Sequence, residues 1–597
     1  GLVRGDLDVA DKQHTLWPLY SFDTIPLEFI SSAYEEFLTA DERGNDKAYY
    51  TPSHLVDYVL DAVLPWNSKD WNVRILDPCC GSAIFLVKAF QRLVYRWRLD
   101  KKRDPLVSDL RPLLENNLVG VDKNPEAVRV ACFSLYLAMA DAIEPKHYVT
   151  RDNIKVFPRL RGTRLIHRDF FDEETDGIRT IGDEGKYDLI LGNAPWGDGS
   201  IFPDRLSDES KADYRKRIAT LPPTSGQKWA KANEWPVANN DIGPLFLTKA
   251  AALVKKSGHV AMVNTASLLY SRDGNALRFR EKLFTTFSFD EVTNLSALRR
   301  ELFAQAIGSS CIVVFGTKRP SGPELLHYYA PKPARTLKPR QGKTPVSQGF
   351  FVEPNDVNTL THEEAAKNSL VWPALALGCN RDVWLLRRLN QFPNLASLKE
   401  AGLVQSRLGI IPGNQAKEVV GLRKRRYFDA EQFPRTVFLE MKAELAPVVD
   451  KIHVDAGHGI RDLSAFKNPQ LLIKQSLVTG LGRFRAAIVK SDDPEWGVVC
   501  KKTYLSIRDI DPRAANIRAA CVVYNSRLAT YFLALTRSRI GHYITETLTK
   551  ELVTVPLPFE SPDIASLGSF EAIDEATRKM FGLTVADWTL IEDFLEY

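Results

Sequence analysis

At 597 residues the chain exceeds one ordinary domain of roughly 100–200 residues, so two or more are expected. Hydrophobic residues at 44% and charged residues at 26% are the proportions of a soluble globular protein, and no stretch is apolar enough for a membrane span. The seven cysteines lack C-x-x-C spacing, which argues against a metal site or a disulfide framework and for a reducing, cytoplasmic setting; the net charge of +5 alone decides nothing.

The chain begins at Gly1, without the layout of a secretory signal, and reads as a processed or truncated start. Leu27, Ile30, Tyr34, Phe37 and Leu38 keep helical spacing, which predicts an N-terminal helical segment over 1–45. Tyr50-Thr51-Pro52 precedes a second helix, which Thr51 or Ser53 can cap with Pro52 near its start. Residues 73–87 then run from a short apolar strand ending at Asp77, through small residues at 79–83, into an amphipathic helix. This turn lacks both G-x-G-x-x-G and G-K-[ST], so it is neither a dinucleotide fingerprint nor a P-loop. An acid before one compact turn suits a cationic or zwitterionic ligand better than a pyrophosphate.

A polar excursion over 98–112 leads to a strand over 117–122 that ends in Asp122, an acid placed to take ribose hydroxyls. A helix over 126–141 and a strand over 163–167 follow, the latter just before Asp169 and Phe170. Strand, helix, strand, helix, strand with a polar side chain at each carboxyl end predicts a doubly wound α/β sheet.

The chain is organised around Y-D-L-I-L-G-N-A-P-W at 187–196. A buried strand over 187–191 breaks at Gly192 and presents Asn193, Ala194, Pro195 and Trp196 at its carboxyl end, where open α/β sheets bind ligands. An amide oxygen, a second carbonyl, a stiff proline and a flat indole suit a planar group bearing an exocyclic NH2. The plainer reading is a strand, a turn and a core tryptophan.

A long polar loop over 197–240, a helix over 241–256 and strands over 258–263, 289–293 and 311–315 complete this half, with Phe246 and Phe303 as pocket walls or core. A Pro- and Lys/Arg-rich stretch over 318–343 reads as a linker. Beyond it lie a helix over 382–389, a turn over 409–414, the basic run Arg423, Lys424, Arg425 and Arg426, and further cations at Lys474, Arg483, Arg485 and Lys490. By itself such a run is a solvated face.

Y-T-P at 50–52, D-P-C-C-G-S-A at 77–83, V-G-V-D at 119–122, D-F-F at 169–171 and N-A-P-W at 193–196 together resemble the motifs of S-adenosylmethionine-dependent DNA methyltransferases. Their order is similar to that of the adenine-N6 group of restriction–modification and phage-defence enzymes. N-S-R-L at 525–528 and the prolines of V-T-V-P-L-P at 553–558 resemble the end of the target-recognition domains of that group. The resemblance implies a class I methyltransferase sheet followed by an α+β target-recognition domain. The implied divisions are 1–45, a catalytic domain over 46–330, a linker over 331–370, a recognition domain over 371–560 and a helical tail over 561–597.

It further implies S-adenosylmethionine as cofactor. Tyr50, Thr51 and Pro52 would border its methionine moiety, Asp77 with the backbone of Cys80 and Gly81 would hold the amino-acid end, and Asp122 would bind the ribose. Asp169 and Phe170 would take the adenine. Asn193 and the Ala194 carbonyl would accept from the target N6, beside Pro195, with Trp196 stacked on a flipped base. Double-stranded DNA is the implied partner, beside other defence subunits, and next to such a domain the basic residues 423–426, 474 and 483 become phosphate contacts.

Two positions depart from the family pattern. Ala83 stands where a second glycine is usual and fits only if its φ is negative, and Ala194 stands where proline is usual, leaving its N–H newly available. The alternative is therefore a catalytically impaired subunit that binds cofactor and DNA. A methyltransferase acting on RNA or on a protein glutamine is a further rival; the basic C-terminal half argues against the glutamine substrate, and a shift assay at stated salt separates DNA from RNA.

Overall fold

A computed structural model describes residues 51–596 apart from 145–155, 175–176, 196–212, 214–215, 218–219, 239–240, 304–307, 321–323, 334–349, 432, 455–461, 479, 539–546 and 561. The N-terminal helix expected over 1–45, Tyr50 and Trp196 lie outside the described residues. The chain divides into two compact units, Gly1–Asn264 with Val313–Lys318, and Thr265–Ile312 with Arg319–Tyr597.

In the first unit the elements are α1 (Ser53–Val63), β1 (Ile75–Asp77), α2 (Ile84–Lys101), β2 (Leu118–Asp122), α3 (Pro125–Asp141), β3 (Leu165–His167), β4 (Tyr187–Asn193), α4 (Ser225–Ala232), α5 (Gly243–Leu253) and β5 (Val254–Thr265). Every pairing among these strands is parallel, in the spatial order β5-β4-β1-β2-β3. The order reverses between β1 and β4, and a doubly wound sheet opens its crevice at such a switch point. The apolar run of β4 tolerates Asp188 because that carboxylate accepts from Arg74 N at 2.9 Å and pairs with Lys255 at 2.6 Å.

Several boundaries differ from expectation. β4 does not break at Gly192 but pairs with β5 as far as Asn193↔Val263. The polar stretch over 98–112 is largely helical, through the end of α2 and Val107–Pro112. α5 stops at Leu253, and β5 starts at Val254, opposite Tyr187. Part of the long loop over 197–240 is α4, capped by the Thr224 hydroxyl, which accepts from Gln227 N.

Ala83, the N-cap of α2, has φ 72 and ψ 28, against the expectation of a negative φ. The left-handed conformation costs an alanine about 1–2 kcal/mol, which the packing of a fully buried residue must offset. α2 is fastened to α1 by charge: Lys88 pairs with Asp57 at 2.8 Å, and the buried Arg92 pairs with Asp57 at 3.2 Å and Asp61 at 2.7 Å.

In the second unit α6 (Gly274–Thr286) precedes β6 (Ser288–Asn294), which pairs in parallel with β7 (Leu325–Tyr329); β7 pairs antiparallel with β8 (Val357–Thr361). Sheet structure therefore occupies part of the stretches expected as linker. A five-stranded sheet has the order β9 (Val404–Leu408), β15 (Tyr504–Asp509), β12 (Gln470–Lys474), β13 (Ala486–Lys490), β11 (Glu440–Lys442), while β10 (Arg425–Phe428) pairs with Val448–Val449 and β14 (Val499–Cys500). The turn expected over 409–414 gives way to a strand at Pro412–Glu418.

Helices α7 (Asn380–Leu389), α8 (Ala515–Asn525), α9 (Arg527–Thr536), α10 (Phe570–Met580) and α11 (Val585–Glu596) belong to the same unit. Asn525 closes α8 against β13, its amide donating to Ala486 O at 2.7 Å and accepting from Arg485 Nε at 3.0 Å. Asp574 of α10 takes both guanidinium nitrogens of Arg483 at 2.7 and 2.6 Å and also accepts from Arg527 N at 3.0 Å.

No described helix is long and apolar enough to cross a membrane, and all seven cysteines are free thiols. Removing one partner of a buried ion pair strands the other charge. Asp574→Ala should therefore cost about 3–5 kcal/mol in denaturant unfolding, and Asp574→Ala with Arg483→Met distinctly less.

Candidate functional site at the carboxyl ends of the first sheet

β1 delivers Asp77 into the crevice fully buried, and β4 delivers Asn193 beside it. The two strand ends approach so closely that a Cβ on Gly192 would lie 2.6 Å from Asp77 Oδ1, so only glycine fits there. The thiol of Cys79 donates to the backbone carbonyl of Asn193 at 3.1 Å, tying the turn after β1 to the end of β4.

Burial pushes the Asp77 carboxyl up to about 8. The backbone N–H of Cys79 opposes the shift and the neighbouring Asp122 carboxylate adds to it. Asp122 accepts from Gly81 N and from Asn124 N, each at 2.8 Å. Cys80 N donates to Val121 O at 2.9 Å. The N–H groups of Cys80 and Gly81 are thus both engaged with the end of β2. Burial pushes both the Cys79 and Cys80 thiols well above their usual range.

Asp169 is exposed and accepts from Phe171 N at 2.9 Å. Phe170 is buried, with its ring stacked on Phe246 at 5.2 Å. Lys249 was not singled out by the sequence. Its buried ammonium donates to the Phe170 carbonyl and to Glu173 and sits 4.9 Å from the Phe170 ring. The signal was there: one lysine in the otherwise apolar helix P-L-F-L-T-K-A-A-A-L.

The turn after β4 is held from behind. Ala194 is buried, and its N–H donates to Val263 O at 3.1 Å, so the group freed by the missing proline is used. A Cβ on Gly243 would lie 2.8 Å from Pro195 O, so that glycine permits close approach. The Asn193 amide donates through Nδ2 to Thr51 Oγ1 at 3.0 Å. Thr51 is buried and does not cap α1, whose N-cap is Pro52, half-buried and without a side-chain cap.

Among the basic residues, Arg423 and Lys424 are exposed and Lys424 has φ 53. Arg425 lies 3.9 Å over the Trp496 ring and pairs with Asp493 at 3.2 Å, and Arg426 donates to Ala446 O at 3.0 Å. Lys474 and Arg483 are a correction to the expected phosphate contacts. Both are buried, Lys474 lying 4.9 Å from the Tyr504 ring and Arg483 being spent on Asp574.

Residues 116–300 match the family described as Eco57I restriction-modification methylase. Over 199 residues the chain is 25% identical to the adenine-specific methyltransferase PglX of Streptomyces coelicolor, covering 28% of this chain and 16% of that protein. Over 299 residues it is 24% identical to the adenine-specific methyltransferase BrxX of Escherichia coli, covering 39% of this chain and 24% of that protein. The matched segments thus span a quarter or less of these relatives. Among solved structures, the Type IIL restriction-modification enzyme MmeI in complex with DNA shares the fold at TM-score 0.53 and 13% identity, over 96% of this chain and 82% of that one. Residues 116–300 are thus similar to the Eco57I restriction-modification methylase family, and the chain is similar in part to the PglX and BrxX adenine-specific methyltransferases.

Proposed function

We propose that the chain is a site-specific methyltransferase acting on adenine N6 in double-stranded DNA, with S-adenosylmethionine as donor, in a restriction–modification or anti-phage defence system of the cytoplasm. The observation that carries the reading is that the end of β4 closes on the end of β1 at the switch point of the parallel sheet, Gly192 against Asp77 and Asn193 O against the Cys79 thiol.

The crevice residues fit the cofactor. A buried carboxyl with no cationic partner among the described residues, Asp77, suits an amino-acid ammonium, and Asp122 suits a ribose diol. Asp169 and Phe170 would take the adenine ring. When bound, S-adenosylmethionine supplies an electrophilic methyl on a sulfonium.

The protein supplies position and polarity. Adenine N6 is a poor nucleophile because its lone pair is delocalised into the ring. With both N6 protons held by Asn193 Oδ1 and the Ala194 carbonyl, nitrogen moves toward tetrahedral geometry and its lone pair points at the methyl. The N6–C bond forms as the S–C bond breaks, and one N6 proton passes to solvent. The target base leaves the duplex to reach this turn, with Trp196 stacked on it. Arg423, Lys424, Arg425 and Arg426 would meet phosphates in a recognition domain over 371–560. The second reading, a binding subunit impaired at Ala194, is weakened by the bond from Ala194 N to Val263 O, which supplies stiffness where proline is absent.

Asn193→Ala should abolish adenine methylation, read by sequencing DNA exposed to the protein, and leave cofactor affinity within about twofold. Retained methylation would refute the role. Ala194→Pro should lower stability by about 1–3 kcal/mol, because buried Val263 O loses its donor, without raising methylation; a gain of methylation would favour the impaired reading.

A carboxyl whose pKa folding raises contributes stability below about pH 4 and loses it as pH climbs through about 8. The unliganded protein should therefore unfold more easily at pH 8 than at pH 6, and Asp77→Asn should remove that difference. Affinity for S-adenosylhomocysteine should run the other way, rising by up to about tenfold per pH unit toward 8, because the ammonium needs the ionised form. Calorimetry in buffers of different ionisation heat should register release of one proton.

A further inference from the structure

We propose that Thr51 is a positioning residue for Asn193: its hydroxyl anchors the side-chain amide and so sets where Oδ1 is presented to the target amine. The inference rests on the role given to Asn193 above and deepens it.

The two ends of an asparagine amide are nearly the same size, and only hydrogen bonds distinguish them. Methyl transfer to an amine needs the oxygen end outward, since the nitrogen end would confront the N6 protons with protons of its own. Thr51 Oγ1 lies 3.0 Å from Asn193 Nδ2 and accepts from it, turning Oδ1 the other way. A threonine hydroxyl can also donate, so its part is to hold the amide at a fixed place in the turn.

The orienting group is itself fixed. Thr51 is 5% exposed, and the chain leaves it directly into α1. The ion pairs of Asp57 and Asp61 with Lys88 and Arg92 hold that helix to α2. On the backbone side the Cys79 thiol donates to Asn193 O at 3.1 Å, so side chain and main chain of Asn193 are held separately. Two segments distant in sequence thus meet on one residue.

The test compares Thr51→Val, which keeps shape and loses the hydroxyl, with Thr51→Ser, which keeps the hydroxyl. With cofactor saturating and single-turnover methylation of unmodified DNA as readout, Thr51→Val should slow transfer about tenfold. Thr51→Ser should remain within about threefold of the unsubstituted chain. Because Thr51 is also expected to border the cofactor's methionine moiety, calorimetry with S-adenosylhomocysteine separates any change in affinity from the loss of rate, which is read at saturating cofactor. Equal transfer rates, failure of serine to rescue, or a loss confined to cofactor affinity would each overturn the proposal.

A thermal-unfolding cycle with Thr51→Val, Asn193→Ala and both together reads the contact without activity. The fall in Tm caused by Thr51→Val should largely vanish in the Asn193→Ala background, whereas additive losses overturn the proposal. If the unsubstituted chain transfers no methyl while the cycle is non-additive, the reading of the function fails and the orientation of Asn193 by Thr51 stands.

Discussion

Asp77 and Gly192 occupy the same space. With the carboxylate oxygen 2.6 Å from where a side chain at 192 would begin, β4 can end beside Asp77 of β1 only with glycine at 192. The geometry that admits the acid also removes water from it, which is why its pKa rises to about 8. Burial of an ionisable group is costly, and the Cys79 N–H offsets only part of that cost at Asp77. This one constraint links the architecture of the sheet to the chemistry of its crevice.

The left-handed Ala83 belongs to the same economy. The turn from Asp77 to α2 must be compact enough for Gly81 N to reach Asp122 at 2.8 Å and for Ala83 N to reach Cys80 O at 2.7 Å. Such a turn forces a positive φ at its last residue whether or not that residue is glycine. Strain at Ala83 and desolvation at Asp77 are both unfavourable terms concentrated within seven residues, and such concentrations accompany sites where pre-organisation matters.

What the sequence made legible follows from short-range physics. Asp77, Asp122 and Asn193 each stand at the end of an apolar run, so periodicity alone places them at strand ends, and parallel topology brings those ends to one edge. What it hid depends on partners far away in the chain. Arg483 reads as a free cation until Asp574, 91 residues on, is found across it. Thr51 reads as a helix cap because its nearest backbone donors are local, whereas its hydroxyl is taken by an amide 142 residues away. Strand Val357–Thr361 was obscured by the proline- and lysine-rich composition before it, yet its alternating burial is that of an ordinary sheet member. Local composition predicts local conformation; it does not predict which polar group a distant polar group will find.

The position of Y-T-P ahead of the acid-tipped strand acquires a physical reason from these contacts. α1 lies against α2 through partly buried ion pairs, which are screened less than surface ones. The N-terminus of α2 is the turn that follows Asp77, and the residue before the N-cap of α1 touches Asn193. A closed circuit results: β1, its turn, α2, α1, Thr51, Asn193, and back through the Cys79 thiol to the turn. Any displacement of the Asp77 turn is transmitted to both the side chain and the backbone of Asn193. The Asp77 turn and the Asn193 amide are therefore linked through contacts on both sides, one through α2, α1 and Thr51 and one through the Cys79 thiol.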